Sequence, residues 1–194
     1  MSFFQNTCKP KGLGGSLMVN MMNIGHSPMA EWGLKHIKIN KNDISLDVGC
    51  GGGANIKKLL EKSPKGKVFG IDYSEVSVRK SKKVNKFAVE RKHCEILQGN
   101  VQELPFANET FDLATAFETI YFWADIDQSF RQIYRVLKKD GIFMICNESS
   151  GENDKDKKWT EIIKGMKIYT SKEIKYSLEK AGFTHIETNK NAKG

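Results

Sequence analysis

Asp47, Gly49, Gly51, Gly53 and Asp72 are the residues of this 194-residue chain whose types and spacing bear most directly on chemistry. They lie in Ile44-Ser-Leu-Asp-Val-Gly-Cys-Gly-Gly-Gly-Ala54 and in Gly70-Ile-Asp-Tyr-Ser74. A short apolar run reaches Asp47 and Val48, a glycine-dense turn follows, and Ile56, Leu59 and Leu60 then recur at helical spacing. Glycine suits a tight strand-to-helix turn because it tolerates positive φ and lets a ligand approach bare backbone N–H groups. The expected chemistry is the holding of a cofactor on exposed backbone. A purely structural glycine turn is the alternative.

Two cofactor classes use such a turn. Gly49-x-Gly51-x-x-Ala54 satisfies the dinucleotide pattern, and Asp72 follows at the interval of a ribose-binding acid. Asp47, however, stands two residues before the first glycine, where its carboxylate would repel an anionic pyrophosphate. A cationic ligand reverses that sign. S-adenosylmethionine carries a sulfonium and an α-amino group, and a carboxylate favours both. The charge argument ranks the methyl donor above the dinucleotide.

These residues need elements to hold them. Strands are expected at Ile44–Val48, Lys67–Asp72, Glu95–Gly99, Leu113–Phe117 and Ile142–Asn147. Helices alternate with them at Ala54–Lys62, Glu75–Glu90, Ile126–Lys138 and Ser171–Ala181. Phe130, Ile133 and Leu137 mark one buried face of the third helix. The last opens on a Thr170-x-x-Glu173 capping box and stops at Gly182. Such alternation implies an α/β fold with a doubly wound, mostly parallel Rossmann-like sheet, which binds ligands beyond the carboxyl ends of its strands.

Leu46-Asp-Val-Gly-Cys-Gly-Gly-Gly53 resembles motif I of the class I S-adenosylmethionine-dependent methyltransferases. Gly70-Ile-Asp-Tyr-Ser74 is similar to the next motif of that family, and Gln98-Gly-Asn-Val-Gln-Glu-Leu-Pro-Phe106 to the third, with Asn100 where an acid is usual. The stretches 111–123 and 136–145 resemble the fourth strand with its exit loop and the approach to the fifth strand. The resemblance runs from Ile44 to Ile145 and looks nearest to the small-molecule branch related to ubiquinone and menaquinone biosynthesis. It implies cofactor contacts from Asp47, Gly49, Cys50, Gly51, Gly53, Asp72, Tyr73, Ser74, Asn100, Val101, Phe117 and Glu118. Within these, Asp72 takes the ribose, and Tyr73, Asn100 and Val101 take the adenine. The family also has a seventh, antiparallel strand between its fifth and sixth. Here Thr184–Thr188 is the expected sixth strand, and the polar 189–194 is too short for a seventh.

Methyl transfer is an in-line displacement on an activated donor, so the protein mainly supplies alignment and a dry site. The catalytic candidates are His26, Tyr121 and Glu148. His26 follows the Met18, Met21, Met22 stripe, Tyr121 and Trp123 leave the fourth strand, and Glu148 leaves the fifth. Residues 1–40 are expected as an N-terminal helical lid, with a helix around Met29–His36, and residues 41–194 as the methyltransferase domain. Trp159, Ile162, Ile163 and Met166 have helical spacing beside the polar 149–158 loop, where such enzymes build acceptor pockets.

Composition narrows the partners. The net charge is +8 and mostly lysine, which reads as a solvated surface, with nucleic acid the lesser alternative. No run is long enough to span a membrane, and the N-terminus lacks a secretory pattern. The scattered Cys8, Cys50, Cys94 and Cys146 show no metal-ligand or redox spacing and suit a reducing cytoplasm. No metal is expected. The expected function is methyl transfer from S-adenosylmethionine to a small-molecule acceptor. An RNA methyltransferase, a non-catalytic donor-binding module and a dinucleotide reductase are the alternatives.

Overall fold

Strand periodicity and turn chemistry produce one parallel sheet in the computed structural model, which describes residues 27–191. Its strands are β1 (Ile44–Val48), β2 (Lys67–Asp72), β3 (Cys94–Gln98), β4 (Phe111–Phe117) and β5 (Leu137–Cys146), in the order β3-β2-β1-β4-β5. All neighbouring pairs are parallel. β1 therefore sits in the middle, and its exit turn lies between those of β2 and β4. That reversal of direction in strand order is where a doubly wound sheet opens a crevice.

Side-chain alternation divides the core in two. Leu46, Val48, Ile71, Ala114 and Ala116 face one side of the sheet; Val68, Ile96, Leu113, Phe117 and Met144 face the other. The second side is covered by α1 (Ser27–Gly33), α2 (Ala54–Lys62), α3 (Glu75–Val84) and α4 (Lys86–Glu90). The first is covered by α5 (Ile126–Val136) and α7 (Ser171–Ala181), with α6 (Asp154–Ile162) in the connection between β5 and α7. In α5, Phe130, Ile133 and Val136 are wholly buried. The α7 capping box forms as expected, and Gly182 closes that helix with φ of 108°.

Several expected elements differ, among them the third helix, which ends at Val136 and not Lys138, so that Leu137 opens a strand. The helix expected over Glu75–Glu90 breaks at Asn85, because its buried amide turns inward to donate to the carbonyls of Gly53 (3.0 Å) and Ser81 (3.1 Å). β5 starts earlier than expected, since Leu137 already pairs with Phe111 before the register shifts around a turn with Asp140 at φ of 63°. Thr184–Thr188 forms no strand. It has no ladder partner, and a groove of 1870 Å³ lies between it and the outer edge of β5. Among the described residues the sheet ends at β5.

Candidate cofactor site

The turn after β1 is tied to β2 by its own backbone. Gly49 and Cys50 both donate to the carbonyl of Ile71, at 2.8 and 3.1 Å. Gly51 donates to Oδ2 of Asp72 at 2.9 Å, and Ser74 donates to Oδ1 at 2.8 Å. Asp72 thus clamps the glycine turn while each oxygen keeps a lone pair for a further donor. Gly99 donates to the Asp72 carbonyl, bringing the exit of β3 to the same place.

The glycines divide the labour. All three have positive φ, but their surroundings differ. A Cβ on Gly49 would stand 2.0 Å from Thr119 Oγ1, and one on Gly53 would stand 2.4 Å from Ser81 Oγ. These two let the chain pack. Around Gly51 nothing lies within 4 Å of an added Cβ, so its backbone faces open space. Gly51 is the position at which a ligand can approach.

Two carboxyls lie at this turn, both almost wholly buried. Asp47 is 2% exposed and accepts from Thr115 Oγ1 at 2.8 Å. Burial pushes its pKa up to about 7, against the Thr115 hydrogen bond and with a further push from Asp72. Burial also raises the pKa of Asp72, opposed by the Ser74 and Gly51 N–H groups. Among the described residues neither carboxyl has a cationic partner. Such a pair disfavours an anionic ligand and has room for a positive one.

The remaining expected residues gather at the same edge in different ways. Tyr73 is 41% exposed beside the turn, whereas Ser74 is buried as the N-cap of α3. Asn100 uses its side-chain carbonyl to cap the short 3-10 turn Val101–Glu103, accepting from Gln102 at 3.0 Å, and Val101 is buried. Cys50 turns its thiol into the core against Ser81, and burial raises that thiol's pKa well above the ordinary range. Phe117 is core, and Glu118 holds φ of 55° immediately after it.

Tyr121 and Glu148 meet through Glu118. The Glu118 carboxylate accepts from the Glu148 backbone N–H and from the Tyr121 hydroxyl at 3.2 Å. That hydroxyl also accepts from the Ser149 N–H at 3.0 Å. Tyr121 is 2% exposed and its pKa is raised by burial, so it ties the β4 exit to the β5 exit. Trp123 is buried too, its indole donating to Thr119 Oγ1 at 3.3 Å. His26 and the methionine stripe lie outside the described residues. Ala30, Gly33 and Leu34, from the described part of the N-terminal segment, are buried, Ala30 and Leu34 packing in the core beside Cys146.

Sequence reasoning passed over Thr115, Ser81 and Asn85. A visible signal was the polar stripe Ser77, Ser81, Asn85 at i, i+4 and i+8, which a solvated helix face does not need. Another was a hydroxyl at Thr115 inside an otherwise apolar strand. No group of three or more metal-ligating side chains forms among the described residues.

The family described as a methyltransferase domain matches residues 39–182. The chain belongs to the class I S-adenosylmethionine-dependent methyltransferases. Within this family it is 32% identical over 131 residues to YrhH of Bacillus subtilis, a protein named as a methyltransferase, covering 66% of this chain and 69% of that one. It is 31% identical over 120 residues to the demethylmenaquinone methyltransferase of Lactobacillus johnsonii, covering 61% and 49%. YrhH apart, this methyltransferase chain spans about half or less of the length of the curated relatives it matches. A Haloferax volcanii protein solved in complex with the Trm112 methyltransferase activator superposes with a TM-score of 0.79 at 25% identity, covering 85% of this chain and 72% of that one. The family's cofactor is S-adenosylmethionine, and the fold and the charge of the crevice suit it.

Proposed function

We propose that this methyltransferase transfers a methyl group from S-adenosylmethionine to a small-molecule acceptor at the carboxyl ends of β4 and β5. The observation that carries the reading is the pair of buried carboxyls, Asp47 and Asp72, beside the open backbone of Gly51. A cationic donor neutralises that pair; a pyrophosphate would not. When bound, the donor supplies an activated methyl on sulfur.

In this reading the backbone of Gly49, Cys50 and Gly51, with Asp47, holds the methionine end, and Gly53 shapes the turn. Asp72 accepts from the ribose hydroxyls, and Tyr73, Ser74, Asn100 and Val101 border the adenine. Phe117 and Glu118 close the floor near the reacting carbon. Tyr121 braces Glu118, and no proton has to pass through it. The groove along β5 reaches Asn147 and Glu148, and among the described residues the buried Oδ1 of Asn147 has no hydrogen-bond partner. That oxygen is offered to a donor group on the acceptor. Relatives named for demethylmenaquinone and for 24-methylenesterol support an acceptor with an extended apolar part. Residues 1–40 serve as the cover over the site, with His26 available to orient the acceptor, and residues 41–194 as the catalytic domain. Buried, unpaired Cys50, Cys94 and Cys146 support a cytoplasmic setting. Among the described residues no helix is long and apolar enough to cross a membrane.

Calorimetric titration with S-adenosylmethionine, S-adenosylhomocysteine and NADH tests the donor. Transfer of labelled methyl to a panel of prenylated and sterol acceptors tests the reaction. Binding of NADH in preference to the other two would overturn the reading. Donor binding with no transfer to any acceptor class would favour a non-catalytic module.

A further inference from the structure

The loops entering β1, β2 and β3 all lie at the amino ends of these neighbouring parallel strands, opposite the cofactor crevice. Lys41 and Lys65 come together there, the Lys65 N–H donating to the Lys41 carbonyl at 2.8 Å. Lys62, Arg91 and Lys92 reach the same rim from the ends of α2 and α4, all exposed. The nearby acids are largely spoken for: Glu90 pairs with Lys86, Glu95 with Lys67, and Asp43 accepts from Asn40. Among the described residues no ion pair joins Lys41, Lys62, Lys65, Arg91 or Lys92 to an acid.

An apolar side chain stands in this basic rim. Phe87, in α4, is 75% exposed, and Val84, one turn before it, is 42% exposed. A phenylalanine left in water amid lysines has no role in the core, and α4 buries no residue at all. Basic side chains around a protruding aromatic are the composition of a helix that rests at a lipid–water interface. We propose that this rim docks the protein on an anionic membrane surface, with Phe87 seated at the interface and the cofactor crevice facing the solution.

The chemistry favours lipid over nucleic acid. Lysine dominates the rim, a point charge suited to a diffuse anionic surface; arginine, which reads phosphates bidentately, is represented at the rim by Arg91. Phe87 has no neighbouring aromatic residue in α4 to make a stacking platform for bases. The proposal stands independently of which acceptor the enzyme methylates.

The test is co-sedimentation of the full chain with phosphatidylcholine vesicles, with and without phosphatidylglycerol. Each basic side chain near an anionic leaflet contributes about a fivefold gain in partition. The triple variant Lys62→Gln, Lys65→Gln, Arg91→Gln should bind anionic vesicles about 100-fold more weakly. Phe87→Ser should weaken binding about tenfold through lost apolar contact. Phe87→Trp should gain emission quenched by brominated lipid, which the wild-type tryptophans do not show. All these positions are exposed, so thermal midpoint and donor affinity should stay at wild-type values, separating loss of docking from loss of fold. Equal binding to neutral and anionic vesicles, or unchanged binding by the triple variant, would overturn the proposal. So would tighter binding of single-stranded RNA than of anionic vesicles, insensitive to Phe87→Ser.

Discussion

Thr115 Oγ1 donates a 2.8 Å hydrogen bond to Oδ1 of Asp47, a carboxyl 2% exposed at the end of the central strand. Among the described residues this is the one side-chain hydrogen bond to that carboxyl, which lies beneath the glycine turn. Donor binding should therefore be linked to the protonation of Asp47.

Burial lifts Asp47 from the ordinary 3.8 to about 7. For an acid with a raised folded-state pKa, the protonated form favours folding. That contribution is complete below pH 3.8 and is lost as pH rises through about 7. A cationic donor selects the ionised form, so affinity should climb with pH up to about 7 and then level off. Calorimetry in buffers of differing ionisation enthalpy should show proton release on the rising limb. An affinity flat across that limb would remove Asp47 from the site.

Thr115→Val removes the hydroxyl at nearly constant volume. Without its hydrogen bond the Asp47 carboxylate loses stabilisation, and the rising limb should move to higher pH. The buried acceptor left behind should cost about 1–3 kcal/mol in urea unfolding near neutral pH. An unmoved pH profile would show that Thr115 and Asp47 are not coupled.

Gly49→Ala and Gly51→Ala should fail differently. At Gly49 the new Cβ meets Thr119 Oγ1 at 2.0 Å, so thermal stability should fall steeply. At Gly51 the space is open, and the positive φ alone should cost about 1–2 kcal/mol. Donor affinity should nevertheless drop more than stability at Gly51, because the methyl enters the space a ligand needs. Equal affinity of Gly51→Ala and wild type would place the ligand elsewhere.

Asp72→Asn is a sharper probe than Asp72→Ala, which would also release the N–H groups of Gly51 and Ser74. The amide retains one acceptor oxygen and opposes one N–H with its own. Donor affinity should fall about 10- to 100-fold, equivalent to about 1.4–2.8 kcal/mol, with the fold intact by circular dichroism. S-adenosylhomocysteine should lose the same factor, since the ribose is common to both.

Tyr121→Phe keeps the ring and deletes the link from Glu118 to Ser149. Unfolding should require about 1 kcal/mol less. The pH dependence of methyl transfer should keep its shape, because the hydroxyl braces the loop. A lost limb would make Tyr121 a proton carrier.

Much of the fold was legible because its signals are local. β1, β2, α2 and α7 have the boundaries their apolar periods and caps dictate, and the parallel order follows from their alternation. The expected helix over Glu75–Glu90 was misread because the cause of its break lies elsewhere. Asn85 leaves the helix to bond Gly53, 32 residues away, and periodicity within α3 contains no trace of that partner.

The sequence by itself determined the family, the glycine turn and the acids on either side of it, since motif residues carry their chemistry wherever the chain folds. Tertiary structure decided what each does. It separated Gly51, facing open space, from Gly49 and Gly53, which permit packing, because steric room depends on neighbours distant in the chain. It tied Tyr121, a catalytic candidate, by hydrogen bonds to Glu118 and Ser149, and among the described residues left Thr184–Thr188 without a partner strand, since hydrogen bonds need geometry as well as donors. It also brought Lys41 and Lys65 together, because only the strand order sets the loops before β1 and β2 side by side.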